Sequence, residues 1–292
     1  MTEGSDRSSG ITDWHSHVWE ASHLGDEWGP QLDMHYCHDP SAEGTPVAHR
    51  KAMQRAGVEE CVVIGLVSDH LGLAVPNAYV GDYVASWEGR AVGVASVDPN
   101  RPSAPDELRE ASEFGLRGVK LAPPYQNFHP HSREAYAVYE TAASLGMFMI
   151  FHQGGVSHRR GVLEVAQPVL LDRVARDFSE TTIIVAHVGQ PWHTEVVTML
   201  RKHPRMYADL SARCGRLNQL RRMLLDLHDY GLLPKLLWGS DFPTFDPADH
   251  AAGLLAAADA TPGMPDPSDL EALLRRPLSS VPGVLDPADE AR

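Results

Sequence analysis

The segment Ile11-Thr12-Asp13-Trp14-His15-Ser16-His17 carries two histidines two residues apart in a run with strand character. Alternate side chains of a strand share a face, so Asp13, His15 and His17 are expected on one side, with the histidine Cα atoms roughly 6.6 Å apart. Two imidazoles at that spacing can converge on one cation. An isolated HxH is more often a hydrogen-bonded pair of core histidines, but four further polar residues recur in equivalent places. Lys120 in GVKLAPP, His152 in MIFHQGG, His187 in IVAHVGQPW and Asp241 in LWGSDFP each end another apolar run. An ion held by two imidazoles and a carboxylate keeps positions open for water or substrate and lowers the pKa of bound water towards neutrality. Asp241 in such a site can ligate the ion and accept a proton from that water.

The elements that must position these residues alternate regularly. Strands are expected at Ile11–His17, Glu60–Leu66, Ala91–Val97, Arg117–Leu121, Met147–His152, Thr182–His187, Arg205–Leu210 and Lys235–Asp241. Helices are expected between and after them, at Ala48–Ala56, Val80–Trp87, Pro105–Phe114, Arg133–Leu145, Pro168–Phe178, Trp192–His203, Leu217–Tyr230 and Pro247–Ala258. Ser132 suits a helix N-cap, Gly146 a left-handed terminus, and Pro105 and Pro168 a first helical position that has no amide partner to lose. Val80, Tyr83, Val84 and Trp87 form one apolar stripe at helical spacing. Eight strand–helix units in about 250 residues, with near-continuous apolar strands and no GxGxxG after the first, predict an α/β fold of the closed (β/α)8 TIM-barrel type. The candidate residues then share the carboxyl ends of the strands, where barrel active sites are built.

The expected organisation is a disordered tail at 1–10, a catalytic barrel at 11–260 and a proline-rich C-terminal extension at 261–292. That extension carries a short helix after Ser268 and packs on the barrel or frays from it. The 292 residues include 25 Lys+Arg and 39 Asp+Glu, a formal charge of −14, which argues against a nucleic-acid binder because such affinity comes mainly from neutralising phosphates. Hydrophobic residues make up 43%, too many for a mostly disordered chain. Cys37, Cys61 and Cys214 are too widely spaced for a CxxC metal knuckle and odd in number, which fits a reducing cytoplasmic compartment. No signal-peptide pattern or membrane-length apolar run is present, so no membrane partner is expected.

From Glu20 to about Thr45 the chain lacks periodicity, and a connection of that length is read as a lid or binding element. It carries His23, His35 and His38. Tyr125, Gln126, Phe128 and His129 follow strand four, and His158, Arg159 and Arg160 follow strand five. The substrate-facing set is Glu20, His129 and Arg159 from these segments, with Trp192 from the stretch after His187. Glu20 lies just past the HxH, within reach of a metal, and Arg159 can pair with a substrate carboxylate. Trp192 is read first as an anchor of its helix and second as a substrate contact.

The set DWHSHVW, RGVKLAPPYQNFHP, FHQGG, AHVGQPWHTE with MYADLSA, and LLWGSDFP resembles the amidohydrolase superfamily, in its amidohydrolase-related (amidohydrolase 2) branch of metal-dependent barrel enzymes. The match runs over about residues 11–250 in the expected order, and takes in PNAYVGDYV and VGVASVDPN. The resemblance implies metal ligation by His15, His17, His152 and Asp241, with His187 helping to activate water. In a two-ion version a carboxylated Lys120 bridges, and His152 and His187 hold the second ion. It also implies zinc, manganese or iron as the ion, and a homodimer as a common state. Carboxylation needs a neutral amine, which burial and nearby cations favour. The chain departs from the pattern at Ala122, where many relatives are polar, and in its ending LLRRPLSSVPGV, so a substrate cannot be carried over.

The leading expectation is a metal-dependent enzyme that hydrolyses or decarboxylates a small organic substrate. A second places two irons at the same ligands and hydroxylates an organic substrate with dioxygen, since imidazole and carboxylate suit iron as well as zinc. A third is a non-catalytic metal-binding barrel that supports a partner subunit. Metal content and oxygen dependence discriminate among them.

Overall fold

The computed structural model describes residues 10–26, 28, 40–258 and 262–285. The expected tail at 1–9, Cys37, His35 and His38 of the loop, and the last residues of the C-terminal extension lie outside the described residues. Eight parallel strands form the sheet in sequence order: β1 (Ile11–His17), β2 (Val58–Ile64), β3 (Ala91–Ser96), β4 (Gly118–Leu121), β5 (Phe148–Phe151), β6 (Ile183–Val185), β7 (Met206–Asp209) and β8 (Leu236–Leu237). Helices follow each in turn: α1 (Pro46–Ala56), α2 (Asn77–Ala85), α3 (Ala104–Glu113), α4 (Arg133–Ser144), α5 (Leu171–Asp177), α6 (His193–Lys202), α7 (Leu217–Asp229) and α8 (Pro247–Ala257). The fold is a TIM barrel, as the alternation predicts.

The last strand differs most from its expected length. Only Leu236 and Leu237 pair with β7, yet the next residues close the ring against β1. The amides of Trp14 and His17 donate to the carbonyls of Trp238 and Phe242 at 2.9 and 2.8 Å, and the Asp241 amide donates to His15 at 2.7 Å. Gly239 permits this approach, because a Cβ there would lie 2.7 Å from the His15 Cβ.

Inside the barrel, every second residue of the strands forms an apolar cluster that includes Val62, Val92, Phe148, Ile150 and Ile184. Leu278, Val281 and Val284 of the C-terminal segment join it, after a short helix α9 (Pro267–Leu274). The Trp14 indole donates to the Arg276 carbonyl at 2.9 Å. The extension, as far as residue 285, therefore plugs the end of the barrel where the strands begin. The same alternation puts Lys120 and His152 inside the barrel, at its opposite end. A second and larger cluster lies between strands and helices; Leu220, Met223, Leu224 and Leu227 are the buried stripe of α7.

Helix ends follow the expected chemistry. The Ser132 side chain accepts from the Ala135 amide at 3.2 Å, and Gly146 has φ +69°. Thr45 caps α1, whose C-terminal Gly57 has φ +71°. Simple alternation fails in β1, where a register shift between Asp13 and Ser16 sets three residue steps of this strand against two of β2. As a result Trp14 joins the interior cluster, while Asp13 is turned to Ser240, accepting from its hydroxyl at 2.6 Å and its amide at 2.9 Å. Asp13 does not share the face of His15 and His17. Its carboxyl is pushed up to about 7, mainly by burial.

The residue between the two histidines is braced from outside. Ser16 donates to the Val62 carbonyl at 2.8 Å, so its oxygen must accept from His49 Nε2–H at 2.9 Å, and His49 Nδ1 in turn accepts from the Tyr83 hydroxyl at 2.8 Å. Ser16 and His49 are fully buried. Ser16→Ala leaves an imidazole N–H without an acceptor and is expected to cost about 1–3 kcal/mol. Urea unfolding checks this: the midpoint should fall with an unchanged slope.

Candidate metal centre

Six side chains proposed from sequence line one cavity of about 70 Å3 at the carboxyl ends of the strands: His15, His17, Lys120, His152, His187 and Asp241. His15 and His17 come from β1, Lys120 from within β4, and His152 from the residue after β5. His187 sits two residues past β6, in a short turn where it and Val188 take φ of +56° and +51°. Asp241 follows β8 with φ +66°. Non-glycine residues in this left-handed region are uncommon and must be held by their surroundings. For Asp241 the bond from its amide to His15 does so.

The side chains lie close enough to share one ion. Asp241 Oδ1 lies 3.6 Å from His15 Nε2 and 3.5 Å from His17 Nε2. Ligand atoms of His15, His187 and Asp241 all fall within 4.8 Å of one another. Ring centroids are 5.0 Å apart for His15 and His187, and 4.9 Å for His152 and His187. His17 Nδ1 lies 2.9 Å from the Ile64 carbonyl, which can only accept, so Nδ1 carries a proton and Nε2 is the atom that faces Asp241. His152 has the opposite arrangement, with Nε2 donating to the Gly155 carbonyl at 3.3 Å.

Burial favours the neutral form of three of these imidazoles. It drives His15 and His187 well below the usual histidine range and His152 to about 3, with Lys120 and neighbouring histidines adding to the effect. Neutral imidazole is the form that ligates metals. Lys120 is brought down to about 8 by burial, opposed by Asp209 and Asp241, and its Nζ lies 3.1 Å from His15 Nε2. An ammonium at that point occupies the region where a cation would be held; a neutral amine or its carboxylated form would not repel one. The donor set, imidazole nitrogens with one carboxylate, suits zinc, manganese or iron.

The four residues expected to face substrate are elsewhere. Glu20 accepts from the Tyr79 hydroxyl at 2.7 Å, and His23 of the same loop packs its ring edge on Tyr79. His129 is exposed, and its Nδ1 accepts from the His131 amide at 3.0 Å. Arg159 is exposed, and Trp192 stands half-buried at the start of α6. A four-residue helix, Pro123–Gln126, turns the chain after β4 so that Tyr125 lines the cavity and His129 does not. The walls are instead Trp19, Trp28, Leu66, Ala122, Tyr125 and Thr244. Trp28 stacks on His158 with centroids 5.3 Å apart and meets Tyr125 edge-on at 5.1 Å.

Sequence reading also passed over Asp209, at the end of β7 within MYADLSA. It is fully buried and lies 2.8 Å from His15 Nδ1. A larger cavity of about 790 Å3, between α1 and the start of α8, touches the metal-side cavity only through the shared Thr244. It contains none of the six residues above.

Residues 12–276 match the family model described as Amidohydrolase. No curated protein matches the sequence. An uncharacterised TIM-barrel protein from Bordetella bronchiseptica superposes with a TM-score of 0.75 at 19% identity, over 97% of this chain and 100% of that one. A probable 2-pyrone-4,6-dicarboxylic acid hydrolase from Acinetobacter baumannii, with citric acid bound, gives 0.68 at 15% identity over 93% and 98%. The 5-carboxyvanillate decarboxylase of Sphingomonas paucimobilis gives 0.61 at 15% identity over 92% and 97%. At such identities the likeness is one of fold. No helix among the described residues is long and apolar enough to cross a membrane.

Proposed function

We propose that this chain, which belongs to the amidohydrolase family, is a metal-dependent hydrolase or decarboxylase acting on a small organic substrate. The observation that carries the reading is the meeting of His15, His17, Lys120, His152, His187 and Asp241 around one small cavity. His15, His17 and Asp241 would hold the ion, with His152 or His187 completing its shell. A divalent ion bound there supplies Lewis acidity to a carbonyl or carboxylate and lowers the pKa of water. The Asp241 carboxylate, beside both β1 imidazoles, is placed to take a proton from attacking water. His187 is placed to orient that water or to return the proton to the leaving group. Trp19, Trp28 and Tyr125 hold the substrate and keep bulk water out.

Elemental analysis of the protein purified without added metal tests this reading. One zinc, manganese or iron per chain, removed by a chelator together with turnover and restored with the ion, is the expected result. Lys120→Met should halve the content of a two-ion centre, and leave a one-ion centre's content unchanged. Two irons with turnover that stops without oxygen would replace hydrolysis or decarboxylation by oxygenation. A chain that holds no ion and keeps its activity in chelator would overturn the metal reading outright.

A further inference from the structure

Asp209 is tied to both halves of the candidate centre. One of its oxygens lies 2.8 Å from His15 Nδ1. The other accepts from the amides of His187 and Ser211, each at 3.0 Å, and from the Ser211 hydroxyl. That hydroxyl oxygen lies 2.8 Å from His187 Nδ1, and the Ser211 carbonyl lies 3.1 Å from the same nitrogen. Asp209 and Ser211 are fully buried, so water offers no alternative partners.

The proton positions follow from donor and acceptor counting. A carboxylate only accepts, so His15 Nδ1 must carry a proton. Ser211 spends its hydroxyl hydrogen on Asp209, so towards His187 its oxygen can only accept, as can its carbonyl. His187 Nδ1 must therefore carry a proton too. In both rings the lone pair is left on Nε2, the atom that faces Asp241 in His15. The amide of His187, in its left-handed turn, is held by the same carboxylate.

We propose that Asp209 is a positioning residue that fixes His15 and His187 as Nδ1–H tautomers and so presents both Nε2 lone pairs before an ion arrives. What the lone pairs are for rests on the metal reading above; the tautomers themselves do not. In Asp209→Asn the amide oxygen is best placed facing the three donors of His187 and Ser211. Its NH2 then points at His15 Nδ1, which must become the acceptor. The His15 proton moves to Nε2, while His187 is unchanged. Ser211→Ala should alter neither ring, because the Ser211 carbonyl still requires a proton on His187 Nδ1.

Long-range nitrogen–proton NMR spectra of histidine-labelled, chelated full-length protein read these states directly, with His15 and His187 signals assigned by their loss in His15→Gln and His187→Gln. Wild type should show Nδ1–H for both rings, and Asp209→Asn should move His15 alone to Nε2–H. Zinc titration should then give an affinity weaker by about 10–100-fold in Asp209→Asn. An Nε2–H tautomer at either ring in wild type overturns the proposal, even if the variant does not fold. So does an Asp209→Asn protein with unchanged tautomers and unchanged zinc affinity. The expected tautomers in a chain that takes up no zinc would support the positioning role and defeat the metal reading instead.

Discussion

Asp241→Asn lowers turnover by about 10²–10⁴-fold, the range expected when a positioned general base is lost. Asparagine keeps the size of the side chain and is among the few residues that tolerate the left-handed backbone found at Asp241. The bond from its amide to the His15 carbonyl is unaffected, so the fold should survive. What disappears is an anionic oxygen 3.5–3.6 Å from two imidazole nitrogens, and with it the capacity to accept a proton. The loss should fall on kcat more than on KM, because Trp19, Trp28 and Tyr125, which line the cavity, are untouched. Metal content measured on the same sample separates a lost base from a lost ligand. Activity within threefold of wild type would remove Asp241 from the chemistry.

Much of this centre is legible in the sequence because each candidate interrupts an apolar run. A lysine, histidine or aspartate at the end of a buried strand costs free energy unless it is paired or used, so a series of them in register with the strand–helix alternation marks one end of the barrel. The bulge in β1 is not legible: it adds one residue locally, with no glycine or proline to announce it, and it sends Asp13 away from the face that alternation assigns. Asp209 is hidden for a different reason. An aspartate followed by Leu-Ser-Ala at a strand end reads as an ordinary turn, and its value appears only when His15 of β1 and His187 after β6 are seen to share it. The four residues read as substrate-facing do not line the cavity, since proximity in sequence to a strand end says nothing about the direction of the following turn. Tyr125 and His129 are four residues apart and lie on opposite sides of that question. The apolar spacing of Leu278, Val281 and Val284, by contrast, was present in the sequence but masked by the prolines around it.

Stripped of metal, the protein should unfold in mild acid, steeply and for a reason rooted in the same design. His49, His152 and His250 are held at about 3, and His15 and His187 well below the usual histidine range, all chiefly by burial. Their folded pKa values lie below the unfolded one, so as pH falls through about 6.5 the unfolded chain binds protons that the folded chain refuses. Stability is therefore complete above that pH and is lost below it. Asp13 acts in the opposite sense: its carboxyl, raised to about 7, gives the folded state one extra proton between about pH 7 and 4. Five histidines against one aspartate leave a net difference of four protons, or about 5 kcal/mol per pH unit. Against an ordinary stability of about 5–15 kcal/mol, that slope places the transition between about pH 4 and 5.5. Circular dichroism across this range checks the claim, and a transition that takes up one proton or fewer would defeat it. His49→Gln should reduce the steepness by about one proton. Zinc should displace the wild-type transition to lower pH, since it binds the folded state, and should do so much less in Asp241→Asn.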